Sequence, residues 1–399
     1  MTTTSTDVKA VEAQSVLQTY KRFPVVFERG EGVRLFDDAG RSYLDFLSGI
    51  GVASLGHSHP VLARALADQA STLIHTSNLF FHPLQGELAT RLVRLSGFDR
   101  AFFCNSGTEA MEACLKFSRR FWHTRGEKGR TKFVAFNHSF HGRTMGALSV
   151  TWDEHYRTPF QPLIPGVTFV DAAAPETVGA AVDETTAAVV VEPIQGEGGV
   201  RPISPALAKA IGDACARTGA LLIADEVQSG SGRTGAFLRS PAAGLTPDLV
   251  ALGKALGAGV PVGAVLVRAR VAEAISAGDH GTTYGGNLLA CRAALTFLDQ
   301  LEGGLAESVH RVSVHLFERL RGLAARFPEM AIDVRGAGLI AGLDLKSDAL
   351  PVVQAALERG LIVNRTSGTV VRLLPPYIVT ERDVDEAIDI LHAALAATI

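Results

Sequence analysis

Short apolar runs alternate with amphipathic segments through the middle of the chain. The runs occupy residues 133–136, 167–170, 187–191, 220–224, 249–252 and 264–267. Because they are apolar on both faces, they predict strands buried in a mostly parallel sheet that helices cover. Residues 205–217 carry an apolar stripe at helical spacing, with Ser204 as the expected N-cap and Gly219 as the expected end. The middle of the chain is therefore predicted to be built from strand–helix–strand units.

The two ends of the chain follow different patterns. Residues 28–46 predict a hairpin with its turn at 37–40, and a long helical pattern begins after Ala290. We expect an α/β fold in which residues 56–295 form a large domain. Residues 1–55 and 296–399 are expected to form a smaller, discontinuous α/β domain.

Composition excludes several classes of protein. The 399 residues are 47% hydrophobic and 20% charged, with a net charge of −3 and no block of Lys and Arg that would suggest nucleic acid or an anionic membrane. The polar start, residues 1–7, does not resemble a signal peptide, and no apolar run is long enough to span a membrane. The four cysteines are dispersed, at Cys104, Cys114, Cys215 and Cys291. Their spacing favours neither disulfides nor a structural zinc site, so we expect a cytoplasmic protein.

Residues with reactive side chains follow the predicted strands. Asp225 follows 220–224, Glu192 follows 187–191, and Lys254 comes just after 249–252. Taken singly, each acid could be a helix cap or a loop anchor, and the lysine could be an exposed surface residue. Because ligands bind beyond the carboxyl ends of parallel strands, the three together favour a shared site. A lysine in an apolar turn can lose its proton and attack carbonyl groups.

A candidate phosphate site lies earlier in the chain. Ser106, Gly107 and Thr108 follow a short apolar run and open a predicted helix, whose N-terminus offers unpaired N–H groups and a positive dipole end. Plain capping is the alternative explanation. The usual nucleotide fingerprints are missing, which argues against a nicotinamide dehydrogenase. A lysine, an acid and a phosphate-binding helix together describe a pyridoxal-phosphate site.

Six ordered segments carry a more specific resemblance. They are residues 105–110, 140–144, 191–198, 225–228 with 232–235, 252–254 and 283–287. In order and spacing the chain resembles the class III (omega) aminotransferases of fold type I, from about residue 23 to the C-terminus. The departures from the family pattern are Met111, Ala258, Leu288 and residues 229–231.

The resemblance implies roles for individual residues. Lys254 would hold pyridoxal 5′-phosphate covalently and move protons, and Asp225 would pair with its ring nitrogen. The remaining cofactor contacts would come from Ser106, Gly107 and Thr108 at the phosphate, Phe140 and Val227 on the two ring faces, and Gln228 at the ring hydroxyl. Thr283 would reach the phosphate of a neighbouring subunit, which implies a homodimer with shared sites.

The resemblance also implies a substrate class. Arg143 would hold the distal carboxylate of the substrate, and Arg372 the α-carboxylate of glutamate; taken alone, Arg372 could equally be a surface ion pair. Glu197 would mask Arg372 when the other substrate is bound. Ile50 stands near the position where ornithine aminotransferases place a tyrosine, which favours a donor with a capped α-amine.

Within the family the chain therefore most resembles the acetylornithine group. The implied reaction converts N2-acetylornithine and 2-oxoglutarate to N-acetylglutamate 5-semialdehyde and glutamate. The alternatives are aminotransferases of 4-aminobutyrate, succinylornithine or succinyldiaminopimelate, an aminomutase, and a catalytically silent binding protein. No metal is expected, because the histidine pair His57 and His59 better fits a turn at the site entrance than a ligand set.

Overall fold

The computed structural model describes residues 5–398. The helices, α1 to α14 in chain order, are Ser5–Ser15, Ser48–Gly51, Pro60–Thr72, Pro83–Ser96, Gly107–Thr124, Met145–Ser149, Glu154–Arg157, Val178–Ala181, Pro205–Thr218, Ala269–Ala272, Leu288–Gln300, Ala306–Arg326, Leu350–Glu358 and Glu381–Ala396. Short 3₁₀ turns occupy Thr158–Phe160, Pro175–Thr177, Pro241–Ala243 and Lys254–Gly257, and a π-helical turn occupies Leu301–Leu305.

The strands form one large sheet and three smaller ones. In chain order, β1 to β17 are Phe27–Glu31, Arg34–Asp37, Ser42–Asp45, Arg100–Cys104, Lys132–Phe136, Val167–Val170, Thr186–Val191, Ile194–Gln195, Arg201–Pro202, Leu221–Asp225, Leu249–Leu252, Gly263–Val267, Ala331–Ala337, Ile340–Leu345, Leu361–Ile362, Asn364–Thr366 and Val370–Leu373.

The large sheet has seven strands in the order β4-β12-β11-β10-β7-β5-β6. The five strands from β11 to β6 run parallel, which confirms the mostly parallel sheet predicted from the doubly apolar runs. Strand β12 runs antiparallel to both β11 and β4. The direction of β12 could not be read from its composition, because a buried strand is apolar on both faces in either orientation.

Local chemistry determines the helices that cover this sheet. The Ser204 hydroxyl accepts a hydrogen bond from the Leu207 amide at 3.1 Å, and Gly219 ends α9 in the left-handed conformation, as predicted. Helix α5 packs an apolar face on the sheet through buried side chains that include Phe117 and Phe121. The beginning of α5 is thereby held against the ends of the strands.

The predicted hairpin forms and is extended at both sides. Strands β2 and β3 pair antiparallel, β1 adds to β2, and β3 pairs in parallel with β15 from the C-terminal part of the chain. This pairing supports a discontinuous small domain, although the boundaries at 1–55, 56–295 and 296–399 stay a prediction. The His57 ring lies 2.8 Å from the Asp45 carboxylate, so this histidine orders the turn after the hairpin.

A second antiparallel sheet lies in the C-terminal third. Its order is β13-β14-β17-β16, and β17 carries Arg372. One apolar core continues from this sheet through α12 and α14 to the large sheet. Arg372 is therefore held against the ends of the large-sheet strands by a continuous packed core. Within residues 5–398, no helix combines the length and apolar character that crossing a membrane requires.

Candidate active site

Three adjacent strands bring the predicted reactive residues to one edge of the large sheet. Asp225 ends β10, Glu192 directly follows β7, and Lys254 begins the 3₁₀ turn after β11. The half-buried Lys254 adopts a left-handed backbone, with φ at 44°. Burial lowers the pKa of the Lys254 amine and Arg372 acts in the same direction, against the opposing charges of Glu197 and Asp225. The amine is thus closer to its neutral, nucleophilic form than an exposed lysine is.

Behind Asp225 lies a buried network. The His141 Nδ1 atom is 2.8 Å from the Asp225 Oδ2 atom, and the Val227 amide donates to Oδ1 at 3.0 Å. Burial opposes protonation of His141, but the hydrogen bond and charge of Asp225 outweigh it and raise the pKa of the imidazole. Burial also raises the pKa of the Glu192 carboxyl to about 7, and Glu192 accepts the Phe140 amide at 2.9 Å. The carboxylate of Asp225 is therefore fixed in position by a histidine.

The N-terminus of α5 faces the same edge. Ser106 caps the helix by accepting the Glu109 amide at 3.3 Å, while the first amides of a helix have no partner within the helix. A Cβ atom at Gly107 would lie 2.5 Å from the Val227 Cγ1 atom, so only glycine fits there. The Thr108 hydroxyl lies 3.0 Å from the Thr144 hydroxyl. The result is a close-packed cradle of N–H groups and hydroxyls beside Val227.

Arg372 and Glu197 form a pair at the other side of the site. The fully buried Arg372 donates through Nη1 to Glu197 Oε1 at 2.6 Å and to Gln228 Oε1 at 3.1 Å. Its Nε donates to Asn364 at 3.2 Å, and its buried Nη2 has no partner among the described residues. Burial alone raises the pKa of the Glu197 carboxyl, but Arg372 and Lys254 outweigh burial and lower it. The guanidinium is thus covered by an ionised carboxylate, and among the described residues the two N–H groups of its Nη2 atom stay unused.

Other predicted site residues lie further out. Arg143 is exposed, with its guanidinium carbon 5.5 Å from the centre of the Phe140 ring. Thr283 is exposed, and its neighbour Thr282 accepts a hydrogen bond from the Asn105 side chain at 3.1 Å. Ile50 is 42% exposed and has φ at 67°, a conformation that β-branched residues rarely adopt. Helix α2, which carries Ile50, packs against the 3₁₀ turn that begins at Lys254. Among residues 5–398 no hydrogen bond joins Thr283 to Lys254.

The chain matches the profile of the class III aminotransferases over residues 16–395. The chain belongs to this family. Acetylornithine aminotransferase of Archaeoglobus fulgidus is 47% identical over 381 residues, which are 95% of this chain and 98% of that one. The Aquifex aeolicus acetylornithine aminotransferase is 44% identical and covers 95% and 99% of the two chains.

Solved structures of other aminotransferases have the same fold. The Toxoplasma gondii ornithine aminotransferase superposes with a TM-score of 0.94 at 34% identity, over 99% of this chain and 96% of that one. The acetylornithine aminotransferase of Elizabethkingia anophelis gives a TM-score of 0.86 at 30% identity, over 99% and 100%. The α/β fold of the type I pyridoxal-phosphate enzymes, expected from the sequence, is confirmed.

Class III aminotransferases use pyridoxal 5′-phosphate, so this chain is a pyridoxal-phosphate-dependent aminotransferase. The residues at the strand ends fit that cofactor. The cradle at Gly107 admits no Cβ atom and presents helix N–H groups for a phosphate. Asp225 is a buried carboxylate that would pair with a protonated ring nitrogen, and the lowered pKa of Lys254 would suit a lysine that binds the aldehyde.

The sequence alone does not indicate which partners two residues of this network have. His141 lies within a segment that carries the family resemblance, but nothing in its local sequence indicates a partner. Glu192 was recognised as an acid at a strand end without a partner. His141 meets Asp225 across 84 residues of sequence, so only the fold brings the two together. A usable signal exists, because His141 follows β5 and Glu192 follows β7, and parallel strands of one sheet end at the same edge.

Proposed function

We propose that the chain transfers the δ-amino group of N2-acetylornithine to 2-oxoglutarate. The observation that carries this proposal is the different state of the two arginines. Arg372 is buried under the Glu197 carboxylate, whereas Arg143 is exposed and has no carboxylate partner among residues 5–398. The names of the related enzymes from Archaeoglobus and Aquifex support the same substrate.

The two arginines suit a site that must bind two unlike substrates in turn. 2-Oxoglutarate and glutamate have carboxylates at both ends, and each can meet one planar guanidinium. Acetylornithine has one carboxylate, which Arg143 would bind, and its amine end brings no anion to Arg372. Glu197 then supplies the missing negative charge, so that Arg372 is not left uncompensated. When glutamate binds, its α-carboxylate takes the place of Glu197 on Arg372.

The proposed roles of the cofactor-facing residues follow from their positions. Bound pyridoxal phosphate supplies an electron sink for the carbanion that forms when the substrate loses a proton. Asp225 keeps the ring nitrogen protonated, and His141 holds the Asp225 carboxylate in place. Lys254 carries the cofactor and then moves a proton at the substrate carbon, for which a lysine of lowered pKa is suited.

Further contacts would fix the plane of the ring and its phosphate. Val227 contacts the Gly107 backbone and would pack on one ring face, while Phe140 would pack on the other. Ser106, Gly107 and Thr108 would hold the phosphate. These phosphate contacts are assigned because the three residues match the positions of the family's motif, and they stay proposals for this chain.

The substrate's capped α-amine is the second part of the proposal. Ile50 presents an apolar side chain from a left-handed backbone that its surroundings hold in place. The Ser48 hydroxyl donates to the Leu374 carbonyl at 2.6 Å, and Arg233 donates to the Gly51 carbonyl at 3.5 Å. An apolar group held there offers no partner to a free ammonium, which disfavours ornithine relative to its acetylated form.

We also propose that the enzyme is a homodimer with shared sites. Leu79, Phe80 and Phe81 are 86%, 67% and 106% exposed, which is unusual for consecutive large apolar residues. Tyr284 lies nearby, with its ring 5.5 Å from that of His75, and Thr283 beside it is exposed. A second copy on this patch would bury it. Sedimentation should give twice the 42.2 kDa of the chain.

The donor preference tests the substrate assignment. Rates of glutamate formation from 2-oxoglutarate would be compared for acetylornithine, succinylornithine, ornithine and 4-aminobutyrate. We expect acetylornithine to have the highest kcat/KM and ornithine to be at least about tenfold lower, because a free ammonium finds no partner beside Ile50. A preference for 4-aminobutyrate would overturn the substrate assignment and leave the aminotransferase chemistry intact.

A further inference from the structure

The guanidinium of Arg143 lies over the ring of Tyr156. The Arg143 Cζ atom is 3.6 Å from the centre of the Tyr156 ring and 5.5 Å from that of Phe140. Within residues 5–398 the structure gives this guanidinium no hydrogen bond and no ion pair. Its contacts are therefore with aromatic rings, and the Tyr156 ring is much the closer of the two.

This arrangement divides the guanidinium into a used face and an unused edge. A cation is attracted to the face of an aromatic ring, and a planar guanidinium whose central carbon is only 3.6 Å from the ring centre must stack one of its own faces on that ring. The N–H donors lie in the plane of the group and point away from the ring, where they can bind a carboxylate through two parallel bonds. A ring beneath the guanidinium therefore fixes its plane without using any donor that the substrate needs.

The chain holds Tyr156 in place through the short helix α7. The Asp153 side chain accepts the His155 amide at 2.9 Å and caps this helix. The Trp152 amide donates to the Ser139 carbonyl at 3.0 Å, which ties the segment before α7 to the segment that carries Phe140. At the other end, Arg157 donates to the Trp152 carbonyl at 3.3 Å. Tyr156 thus belongs to the same anchored unit as the Arg143 segment.

We propose that Tyr156 is a positioning residue that orients Arg143 for the substrate carboxylate, an inference that rests on the clamp role proposed for Arg143. A free arginine side chain samples many rotamers, and ordering it at the moment of binding weakens the binding of substrate. The ring removes part of this cost by ordering the guanidinium beforehand. Tyr156 contacts neither the reacting carbon nor the cofactor in this account; it acts through Arg143.

The competing explanation is that Tyr156 only covers the surface where a long side chain happens to lie. A double-mutant cycle separates the two, because a positioning residue loses its effect when the residue it positions is absent. The variants are Tyr156→Ala, Arg143→Ala and their combination, with Tyr156→Phe as the matched control that keeps the ring. KM and kcat are measured for acetylornithine, and for n-butylamine as a donor without a carboxylate.

We expect Tyr156→Ala to raise the KM for acetylornithine by about 3- to 30-fold, the range of a cation–ring contact, with kcat nearly unchanged. In the Arg143→Ala background the same change should alter KM by less than about twofold. Tyr156→Phe should stay close to wild type, and turnover of n-butylamine should be insensitive to Tyr156→Ala.

The outcomes that overturn the inference are distinct from those that overturn the proposed function. If Arg143→Ala raises KM for acetylornithine but Tyr156→Ala has the same effect in both backgrounds, Tyr156 does not act through Arg143. If Tyr156→Ala impairs n-butylamine equally, its role is structural. If Arg143→Ala itself leaves the KM for acetylornithine unchanged, the clamp role fails and the inference fails with it.

Discussion

Replacing Glu197 by Gln removes the charge that covers Arg372 and nearly preserves its shape. The Glu197 carboxylate lies 2.6 Å from the Arg372 Nη1 atom. If Glu197 masks Arg372 as proposed, glutamate must displace this carboxylate in the wild type. In Glu197→Gln no anion competes, so glutamate binds more readily. Acetylornithine gains nothing, because its neutral end must then lie beside an uncompensated guanidinium. The variant should therefore change the discrimination between the two donors rather than activity as a whole.

The size of the change follows from the burial of the two partners. Breaking a fully buried ion pair costs about 3–5 kcal/mol. Arg372 is 0% exposed but the Glu197 side chain is 34% exposed, so solvent screening lowers the value. We take about 1.5–3 kcal/mol, which is about 10- to 150-fold in rate. The ratio of kcat/KM for glutamate to that for acetylornithine should rise by this factor.

Half-reactions with each donor, followed by the change in cofactor absorbance, measure the two values of kcat/KM separately. The matched control is Asn364→Ala, which removes a neutral partner 3.2 Å from the same guanidinium. Its loss should affect both donors alike and leave the ratio within about threefold. Since Arg372 and Lys254 lower the pKa of Glu197, the effect should persist across neutral pH. A ratio that is unchanged or falls in Glu197→Gln would refute the masking argument.

Three further predictions concern the cofactor site. Burial lowers the pKa of Lys254 below its ordinary value of 10.5, so between the two pKa values the unfolded chain binds more protons than the folded one. The stability of cofactor-free wild type should therefore rise, relative to that of Lys254→Met, as the pH goes from neutral to alkaline. Urea titrations at a series of pH values measure this difference. Gly107→Ala places a Cβ atom 2.5 Å from Val227 and should weaken pyridoxal-phosphate binding by at least about tenfold in fluorescence titrations. The control is Gly212→Ala, whose new Cβ atom would lie in open space on α9. This control should bind the cofactor normally and be about 0.5–1 kcal/mol more stable to unfolding. Asp225→Asn should lower kcat by about 10²- to 10⁴-fold with the cofactor still bound, as measured by single-turnover kinetics; an unchanged kcat would mean that Asp225 does not support the ring nitrogen.

The strands and helix caps could be predicted because their signals are local. The apolar runs gave the five parallel strands, and Ser204 and Gly219 gave the ends of α9. Strand β1, residues Phe27–Glu31, was not predicted as a separate element, since most of its residues are exposed and it has no apolar alternation. The left-handed backbone at Ile50 could not be predicted either, because it is imposed by contacts with distant segments.

The site could be predicted only where motif and fold coincide. Lys254 and Asp225 follow runs that any parallel sheet would place side by side, so their proximity follows from the pattern itself. The pair of Glu197 and Arg372 joins residues 175 positions apart and was expected only through the family resemblance. The contact of Tyr156 with Arg143 depends on the position of α7, which at four residues is too short to show a helical periodicity in the sequence.

Transfer of labelled nitrogen tests the central claim most directly. Acetylornithine labelled with ¹⁵N at its δ-amino group would be incubated with 2-oxoglutarate and the purified enzyme, and the products followed by NMR. The account predicts that the label appears in glutamate, with one labelled glutamate formed for each molecule of N-acetylglutamate 5-semialdehyde. It also predicts that Lys254→Ala abolishes the transfer. Label that is released as ammonia, or that stays in acetylornithine while the enzyme carries its cofactor, would contradict it.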